Sequence, residues 1–171
     1  MKERPRIVLT GFMGVGKSSV GRHVAQMLGE RRFDLDSIIE GDQDRSIAEI
    51  VDAETEAGFR VIETHHLANI IADDTVRILS LGGGAWTIPI NRTMLREKGF
   101  TSVWLEATFE HCWLNIAFSR RDRPLARNKK RAIELFEERQ KVYCLADWHF
   151  IVRPGSTSYD VAKQIKEELF S

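Results

Sequence analysis

Five short apolar runs alternate with segments of helical periodicity along the chain. Between the runs, apolar residues recur three or four positions apart, as in Val20, Val24 and Leu28, which is typical of amphipathic helices. Strands alternating with helices predict one α/β domain over residues 1–171, in which a five-stranded parallel sheet carries helices on both faces as a three-layer arrangement. The predicted strands are residues 6–10, 32–36, 76–81, 101–105 and 148–152.

Two helical segments have clear boundaries or faces. The first begins at the capping box Ser46-Ile47-Ala48-Glu49 and continues to about Ile71, with a break near Thr55 or Gly58. The second covers about residues 132–146. The apolar side chains expected on the buried faces of these helices are Ile47, Ile50, Val51, Val61, Ile62, Ile70, Ile71, Ile133, Leu135, Phe136, Val142 and Leu145.

A glycine-rich turn joins the first strand to the first helix. Residues 11–18 spell GFMGVGKS and fit G-x-x-x-x-G-K-[ST] without a mismatch. Its glycines let backbone N–H groups turn inward, and the helix start adds partial positive charge, so we expect a phosphate-binding loop. Lys17 is expected at the β- and γ-phosphates and Ser18 at Mg²⁺. The residues predicted to bind ATP in this loop are Gly14, Val15, Gly16, Lys17, Ser18 and Ser19.

Two carboxylates end the second predicted strand. Asp34 and Asp36 are two residues apart, so on a strand they point to the same face and toward the phosphate-binding loop. That placement suits a magnesium contact through water and a grip on a substrate hydroxyl. The alternative is a strand that ends in a polar turn.

Two further features are candidates for binding an anionic substrate. Arg60 and Glu63 lie three apart on a helix and can pair, either as a surface ion pair or as an arginine held ready for a substrate anion. Gly82, Gly83 and Gly84 follow the third strand, where glycines allow close backbone approach to a ligand. The alternative for the glycines is a flexible turn.

A basic segment covers about residues 120–131. It contains seven arginines and lysines and one acid, and Pro124 interrupts any helix there. A solvated loop and a nucleic-acid patch are alternatives, but the segment lacks interleaved aromatic residues. Beside a phosphate-binding loop, we favour a mobile lid that closes over ATP, excludes water and brings an arginine to the transferring phosphate.

Composition narrows the classes of function. Basic and acidic residues number 25 each, which argues against a general polyanion binder, while arginine outnumbers lysine roughly two to one. Cys112 and Cys144 are expected to be buried cytosolic thiols, and His65-His66 to be surface or core residues without a metal. The sequence contains no segment typical of a signal peptide and no apolar run long enough to span a bilayer. We therefore expect a cytoplasmic protein with no membrane or nucleic-acid partner. A monomer is expected.

At this point the chain resembles the shikimate kinases over nearly its whole length. The phosphate-binding loop continues as Gly21-Arg22, close to the family's G-F-M-G-x-G-K-[ST]-x-x-G-R. The other matching motifs, in order, are FDLD at 33–36, the S-I-x-x-I…E-x-x-F-R-x-x-E segment at 46–63, GGG at 82–84, RPL at 123–125, and Arg139 with Tyr143. Thr55 stands where the family usually has glycine, and the lid is short.

The resemblance implies a P-loop fold of the nucleoside-monophosphate-kinase type and a role for each matching residue. Lys17 and the loop amides would hold ATP, while Ser18 and Asp34 would hold Mg²⁺. Asp36 would bind ring hydroxyls and accept the proton of the attacking one. The carboxylate of shikimate would be bound by Arg60 and Arg139, with Gly82, Gly83 and Gly84 lining the same pocket. Arg123 would act from the lid, and Arg120 is a candidate for stacking on adenine.

The expected activity is transfer of the γ-phosphate of ATP to the 3-hydroxyl of shikimate, in aromatic amino acid biosynthesis. Asp36, Arg60 and Arg139 suit a small polyol with a carboxylate at one end and hydroxyls at the other. The substrate-binding region would lie at about 34–63 and the lid at about 120–131. Two alternatives stay open: a gluconate-type metabolite kinase, and a catalytically silent nucleotide-binding protein of the same ancestry. A kinase acting on nucleic acid is a more distant one.

Overall fold

The computed structural model describes residues 4–171, and its centre is one sheet of five parallel strands. The strands lie in the order β2-β3-β1-β4-β5, with every adjacent pair parallel, which confirms the predicted fold class. Their bounds are Arg6–Thr10 (β1), Arg32–Asp34 (β2), Ile78–Ser80 (β3), Phe100–Glu106 (β4) and Trp148–Ile151 (β5). All five residues of β1 are buried, as expected for a central strand covered on both faces.

Seven α-helices connect and flank the strands. They are α1 (Lys17–Leu28), α2 (Leu35–Gln43), α3 (Ile47–Ile71), α4 (Pro89–Glu97), α5 (Phe109–Phe118), α6 (Lys129–Tyr143) and α7 (Ser158–Leu169). Short 3-10 turns cover Ala85–Thr87 and Pro124–Ala126. Because β1 pairs with both β3 and β4, the loops after these three strands meet at the carboxyl edge of the sheet. Across residues 4–171, no helix has the length and apolar character needed to cross a bilayer.

One prediction about the second strand is wrong. The strand ends at Asp34, which caps α2 by accepting a hydrogen bond from the Ser37 N–H, and Asp36 already lies in the first turn of that helix. The two carboxylates therefore do not share a strand face. The helix α2 was absent from the sequence prediction because a short apolar run followed by a polar stretch resembles a strand end.

The kink predicted in the long helix is present at Thr55. This residue has φ 67° and ψ 168° inside α3, a conformation that essentially only glycine adopts without strain. The Thr55 hydroxyl accepts a hydrogen bond from the Gly58 N–H at 3.3 Å. The capping box at Ser46 and Glu49 is also confirmed.

Several predicted burials are wrong. Val61, Ile133 and Leu145 are exposed, as is Cys144, whereas Cys112 is buried. Apolar periodicity marks the buried face of a helix only where a neighbour covers it. The C-terminal part of the predicted basic lid is also helical, since α6 starts at Lys129.

The adjacent histidines differ in their burial. His65 is exposed, while His66 is buried and bonds through Nδ1 to the Ile62 carbonyl and through Nε2 to Asp42, both at 2.8 Å. Within residues 4–171, no three or more His, Cys, Asp or Glu residues are grouped as a metal site.

Candidate active site

The phosphate-binding loop connects β1 to α1 at the carboxyl edge of the sheet. Gly14 and Gly16 have φ of 81° and 106°, which L side chains rarely adopt, so both positions favour glycine. Lys17 is buried, and its Nζ donates to the carbonyl oxygens of Gly11 at 2.6 Å and Phe12 at 3.1 Å. Burial lowers the pKa of Lys17 to about 8, against the opposing attraction of Asp36.

Helix α5 supports this loop from the side. A Cβ on Gly14 would lie 2.5 Å from the Cys112 carbonyl oxygen, so the loop packs directly on the helix backbone. Asn115 donates from Nδ2 to the Gly14 carbonyl oxygen at 2.7 Å. The path of the loop therefore depends on a helix whose contacting residue, Asn115, lies 101 positions further along the chain.

Ser18 and Asp34 form a polar pair at the start of α1. The Ser18 hydroxyl donates to Asp34 Oδ2 at 2.5 Å, while Asp34 Oδ1 accepts from the Ser37 N–H. A hydroxyl and a carboxylate are oxygen ligands of the kind that Mg²⁺ prefers, and each side chain lines the larger cavity described next. The pair fits the predicted Mg²⁺ site.

Two adjoining cavities open at this edge of the sheet. The larger, of about 590 Å³, runs along the phosphate-binding loop. The smaller, of about 100 Å³, lies between α3, the basic segment and the turn Gly82–Gly84, which we call the glycine turn. Residues of both linings are Met13, Asp36, Gly82, Gly83, Arg121 and Arg123. A group bound in one cavity therefore meets a group bound in the other beside Asp36 and Arg123.

Three charged side chains pack against the glycine turn in the smaller cavity. A Cβ on Gly82 would lie 2.7 Å from Asp36 Oδ1. One on Gly84 would lie 2.0 Å from Arg60 Nη2 and 2.8 Å from Arg139 Nη2. The three glycines are thus needed because charged groups from α2, α3 and α6 occupy the space of their side chains.

A family model described as shikimate kinase matches residues 13–170. A shikimate kinase from Caulobacter vibrioides (strain NA1000 / CB15N) is 42% identical over 160 residues, covering 91% of this chain and 77% of that protein. Another, from Persephonella marina, is 35% identical over 164 residues, covering 93% and 95%. This chain belongs to the shikimate kinase family. The solved structure of shikimate kinase from Acinetobacter baumannii in complex with shikimate is similar at a TM-score of 0.88 and 31% identity, covering 99% of this chain and 94% of that one.

A buried ion pair forms part of the lining of the smaller cavity. Arg60 Nη1 lies 2.7 Å from Glu63 Oε1, and the Glu63 side chain is only 1% exposed. Burial raises the pKa of Glu63 to about 7, although the adjacent guanidinium of Arg60 opposes the shift. Arg139 is also buried, which lowers the pKa of its guanidinium. Glu63 orients Arg60, and Arg60 and Arg139 lie together at Gly84. Two cationic side chains in one small cavity favour binding of an anionic ligand.

Two buried polar atoms face the space shared by the cavities. Within residues 4–171, neither Asp36 Oδ1 nor Arg123 Nη1 has a hydrogen-bond partner. Burial, reinforced by the charge of Asp34, raises the pKa of Asp36, whereas Arg121 and Lys17 oppose that rise. Both atoms can therefore form hydrogen bonds to polar groups of substrates that meet between the two cavities.

The basic segment is tied to the helices that carry Asp36 and Arg60. Arg121 bonds to Glu40 of α2 at 2.8 Å. Arg127 lies 3.3 Å from Asp52 of α3 and 2.8 Å from Asp122. In this member of the shikimate kinase family the segment therefore rests over the smaller cavity.

Most site residues predicted from the sequence are brought together. The phosphate-loop residues, Asp34, Asp36 and Arg123 line the larger cavity, and Arg60, Arg139 and the three glycines line the smaller one. Arg120 is the exception, since it lines neither cavity, whereas its neighbour Arg121 lines both.

Three site features were missed by the sequence analysis. They are Arg121, Asn115 and the residues Ser156–Ser158 at the start of α7, all of which line the larger cavity. Arg121 was one of several basic residues without a distinguishing neighbour in sequence. Asn115 lies inside a predicted helix and Ser156–Ser158 lie at the predicted start of the last one, and neither position reveals what the side chains face.

Proposed function

We propose that this chain is an ATP-dependent shikimate kinase that transfers the γ-phosphoryl group of ATP to the 3-hydroxyl of shikimate. The observation that carries the proposal is the pairing of the two cavities. The larger holds a phosphate-binding loop, and the smaller holds two arginines and an aspartate around a glycine turn. ATP and a small carboxylate-bearing polyol match these two linings, and the named relatives have this activity.

The ATP side of the reaction is assigned to the loop and the start of α1. We infer that the loop N–H groups bind the phosphates, with Gly14, Val15, Gly16, Lys17, Ser18 and Ser19 as the contacting residues. Lys17 would exchange its bonds to Gly11 and Phe12 for phosphate oxygens. Ser18 and Asp34 would hold Mg²⁺, which neutralises charge on the phosphates when it is bound.

The shikimate side is assigned to the smaller cavity. Arg60, oriented by Glu63, and Arg139 would bind the carboxylate with charge-assisted hydrogen bonds. The turn Gly82–Gly84 would let the ring lie against the backbone. The opposite end of the ring would then face Asp36, where the two cavities meet.

Phosphoryl transfer then requires positioning and charge stabilisation more than covalent chemistry. Asp36 would bind the attacking hydroxyl and accept its proton as the new P–O bond forms and the bond to ADP breaks. Arg123, half-buried beside Asp36 and with no hydrogen-bond partner for Nη1 among the described residues, would stabilise charge on the transferring group.

The wider organisation is proposed on the same basis. Residues 1–171 form one P-loop kinase domain, about 34–63 bind the substrate, and about 120–131 act as a lid that excludes water. Arg120 stays a candidate for the nucleotide end of the site. A cytoplasmic monomer without nucleic-acid or membrane partners is the simplest setting for such an enzyme.

The test is ADP release with ATP and Mg²⁺, in the presence and absence of shikimate, with gluconate and quinate in parallel. We expect stimulation by shikimate that Asp36→Asn abolishes. Stimulation by gluconate alone would identify the acceptor as a different sugar acid. ATP binding without turnover on any of the three acids would favour a catalytically silent protein.

A further inference from the structure

Arg121 lies in the wall that the two cavities share. It lines both of them, together with Asp36 and Arg123. The backbone at this point is fixed by Ser119, whose hydroxyl accepts a hydrogen bond from the Arg121 N–H at 3.1 Å. The Arg121 side chain is 41% exposed, so its guanidinium is open to a ligand in either cavity.

Glu40 of α2 holds the Arg121 side chain in this position. Its Oε1 accepts a hydrogen bond from Arg121 Nη2 at 2.8 Å, and its Oε2 accepts one from the Ile47 N–H at 3.0 Å. Within residues 4–171, the guanidinium of Arg121 makes this hydrogen bond alone. Because a guanidinium has five N–H donors, Nη1 and Nε of Arg121 can still bind an anion.

Arg121 and Arg123 bring two positive charges close together. Burial lowers the pKa of Arg123, and the charge of Arg121 lowers it further, whereas Asp36 opposes the shift. Among the described residues, Arg123 Nη1 has no hydrogen-bond partner. An anion between the two guanidiniums would therefore gain charge-assisted hydrogen bonds from both. When the phosphate-binding loop holds ATP, the γ-phosphate is the group that extends toward the smaller cavity.

We propose that Arg121 is a second catalytic arginine, which binds the γ-phosphoryl group of ATP together with Arg123 during transfer. The proposal rests on the proposed function for the donor and the reaction. The bond from the γ-phosphorus to ADP breaks as the bond to the acceptor oxygen forms, and the acceptor proton goes to Asp36. Arg121 keeps its own protons and stabilises negative charge on the phosphoryl oxygens. Glu40 is a positioning residue that acts through Arg121.

Arg127 provides the comparison that separates catalysis from attachment of the basic segment. It belongs to the same segment and pairs with Asp52 of α3 at 3.3 Å, but it lines neither cavity. Arg127→Ala therefore removes an ion pair between the segment and a helix without removing a charge from the cavities. If Arg121 served only to attach the segment, its loss would resemble the loss of Arg127.

The experiment combines steady-state turnover of shikimate with calorimetric titration of ADP and of the non-hydrolysable analogue AMP-PNP, all with Mg²⁺. ADP and AMP-PNP differ by the γ-phosphoryl group that Arg121 is proposed to contact. The variants are Arg121→Ala, Arg121→Lys, Glu40→Gln and Arg127→Ala. Glu40→Gln removes the ion pair and keeps an oxygen for the Ile47 N–H.

We expect Arg121→Ala to lower kcat about 100-fold, the scale typical of one donor aimed at transition-state charge. It should weaken binding of AMP-PNP several-fold and leave ADP binding and the KM for shikimate nearly unchanged. Arg121→Lys should recover part of the lost kcat, because it retains the positive charge. Glu40→Gln and Arg127→Ala should have much smaller effects, since exposed ion pairs contribute little.

A loss of kcat in Arg121→Ala no larger than that in Arg127→Ala would overturn the proposal. Equal losses of affinity for ADP and AMP-PNP would also overturn it, since they would place Arg121 at another part of the nucleotide.

The nucleotide titrations need no acceptor, so they separate this proposal from the proposed function. A selective loss of AMP-PNP affinity in Arg121→Ala supports the arginine even if the native enzyme fails to phosphorylate shikimate, which would refute the acceptor. Shikimate turnover with native kcat and native AMP-PNP affinity in Arg121→Ala does the reverse.

Discussion

The Tyr143 hydroxyl donates a hydrogen bond to the Gly83 carbonyl oxygen, which ties the end of α6 to the glycine turn. Tyr143 is fully buried, and its pKa is raised to about 12 by that burial although Arg139 pairs with it and opposes the rise. One phenol therefore contacts both the turn that lines the smaller cavity and an arginine that lies inside it.

Tyr143→Phe should impair shikimate binding more than turnover. Without the hydroxyl, the Gly83 carbonyl and Arg139 each lose a buried partner, and a loss of about 1–2 kcal/mol in binding is expected. Steady-state kinetics should show a KM for shikimate raised several-fold with a smaller change in kcat. Tyr159→Phe is the matched control, because Tyr159 is exposed and lies on α7. Equal shikimate KM in the two variants would remove Tyr143 from the positioning of the site.

Arg139→Ala should weaken shikimate binding by at least about 2 kcal/mol, or roughly thirty-fold, since it removes a charged partner in a closed site. The expected change is in affinity for shikimate, measured by titration, with ATP affinity nearly unchanged. Arg131→Ala, an exposed position on the same helix, serves as the control. An Arg139→Ala protein with native affinity for shikimate would contradict the assigned carboxylate clamp.

Gly84→Ala should displace Arg60 without disturbing the backbone. Gly84 has φ −106° and ψ −11°, which alanine also adopts, so only the added Cβ, 2.0 Å from Arg60 Nη2, causes the effect. Because Arg60 is long and flexible, we expect a loss of shikimate affinity with little change in thermal stability. Gly41→Ala, in α2 with open space around its Cβ position, should instead stabilise the fold by up to about 1 kcal/mol. A large drop in the melting temperature of Gly84→Ala would mean that the turn, not Arg60, had moved.

Thr55→Gly should stabilise the protein. The side chain at φ 67° and ψ 168° imposes strain of about 1–3 kcal/mol, which glycine relieves in part, against its greater freedom in the unfolded chain. Urea unfolding should give a net gain of about 1 kcal/mol. Asp44→Gly, at an ordinary left-handed cap with φ 53° and ψ 38°, should change stability less. A destabilised Thr55→Gly protein would show that the hydrogen bond from Gly58 to the threonine hydroxyl outweighs the strain.

Glu63 should make stability depend on pH. Its pKa is raised from 4.5 to about 7, so the folded state holds this proton more tightly than the unfolded state. The resulting stabilisation is complete below pH 4.5 and is lost as pH rises to about 7. Relative to Glu63→Gln, the native protein should therefore lose as much as about 3 kcal/mol of unfolding free energy between pH 4.5 and 7.5.

The measurement for Glu63 is urea unfolding of both proteins at several pH values across that range. Glu168→Gln, at an exposed position of α7, controls for the loss of a surface charge. A constant difference in stability between native and Glu63→Gln proteins would show that the carboxyl group titrates alike in the folded and unfolded chains.

The sequence alone determined the features that depend on local interactions. The phosphate-binding loop follows from glycines that permit positive φ beside a strand and a helix start, and the cap at Ser46 follows from side chains that satisfy nearby backbone groups. The alternation of strands and helices predicted the parallel sheet, because each parallel pair needs a crossover.

Only the tertiary structure decided which distant groups share a cavity. The order of the strands, the helical setting of Asp36 and the meeting of Arg60 with Arg139 at Gly84 all arise from packing between segments far apart in the chain. The sequence likewise does not show that Arg121, rather than Arg120, lines the cavities, because adjacent residues in an irregular segment point in different directions. Arg121 pairs with Glu40 of α2, and the local sequence does not reveal this distant partner.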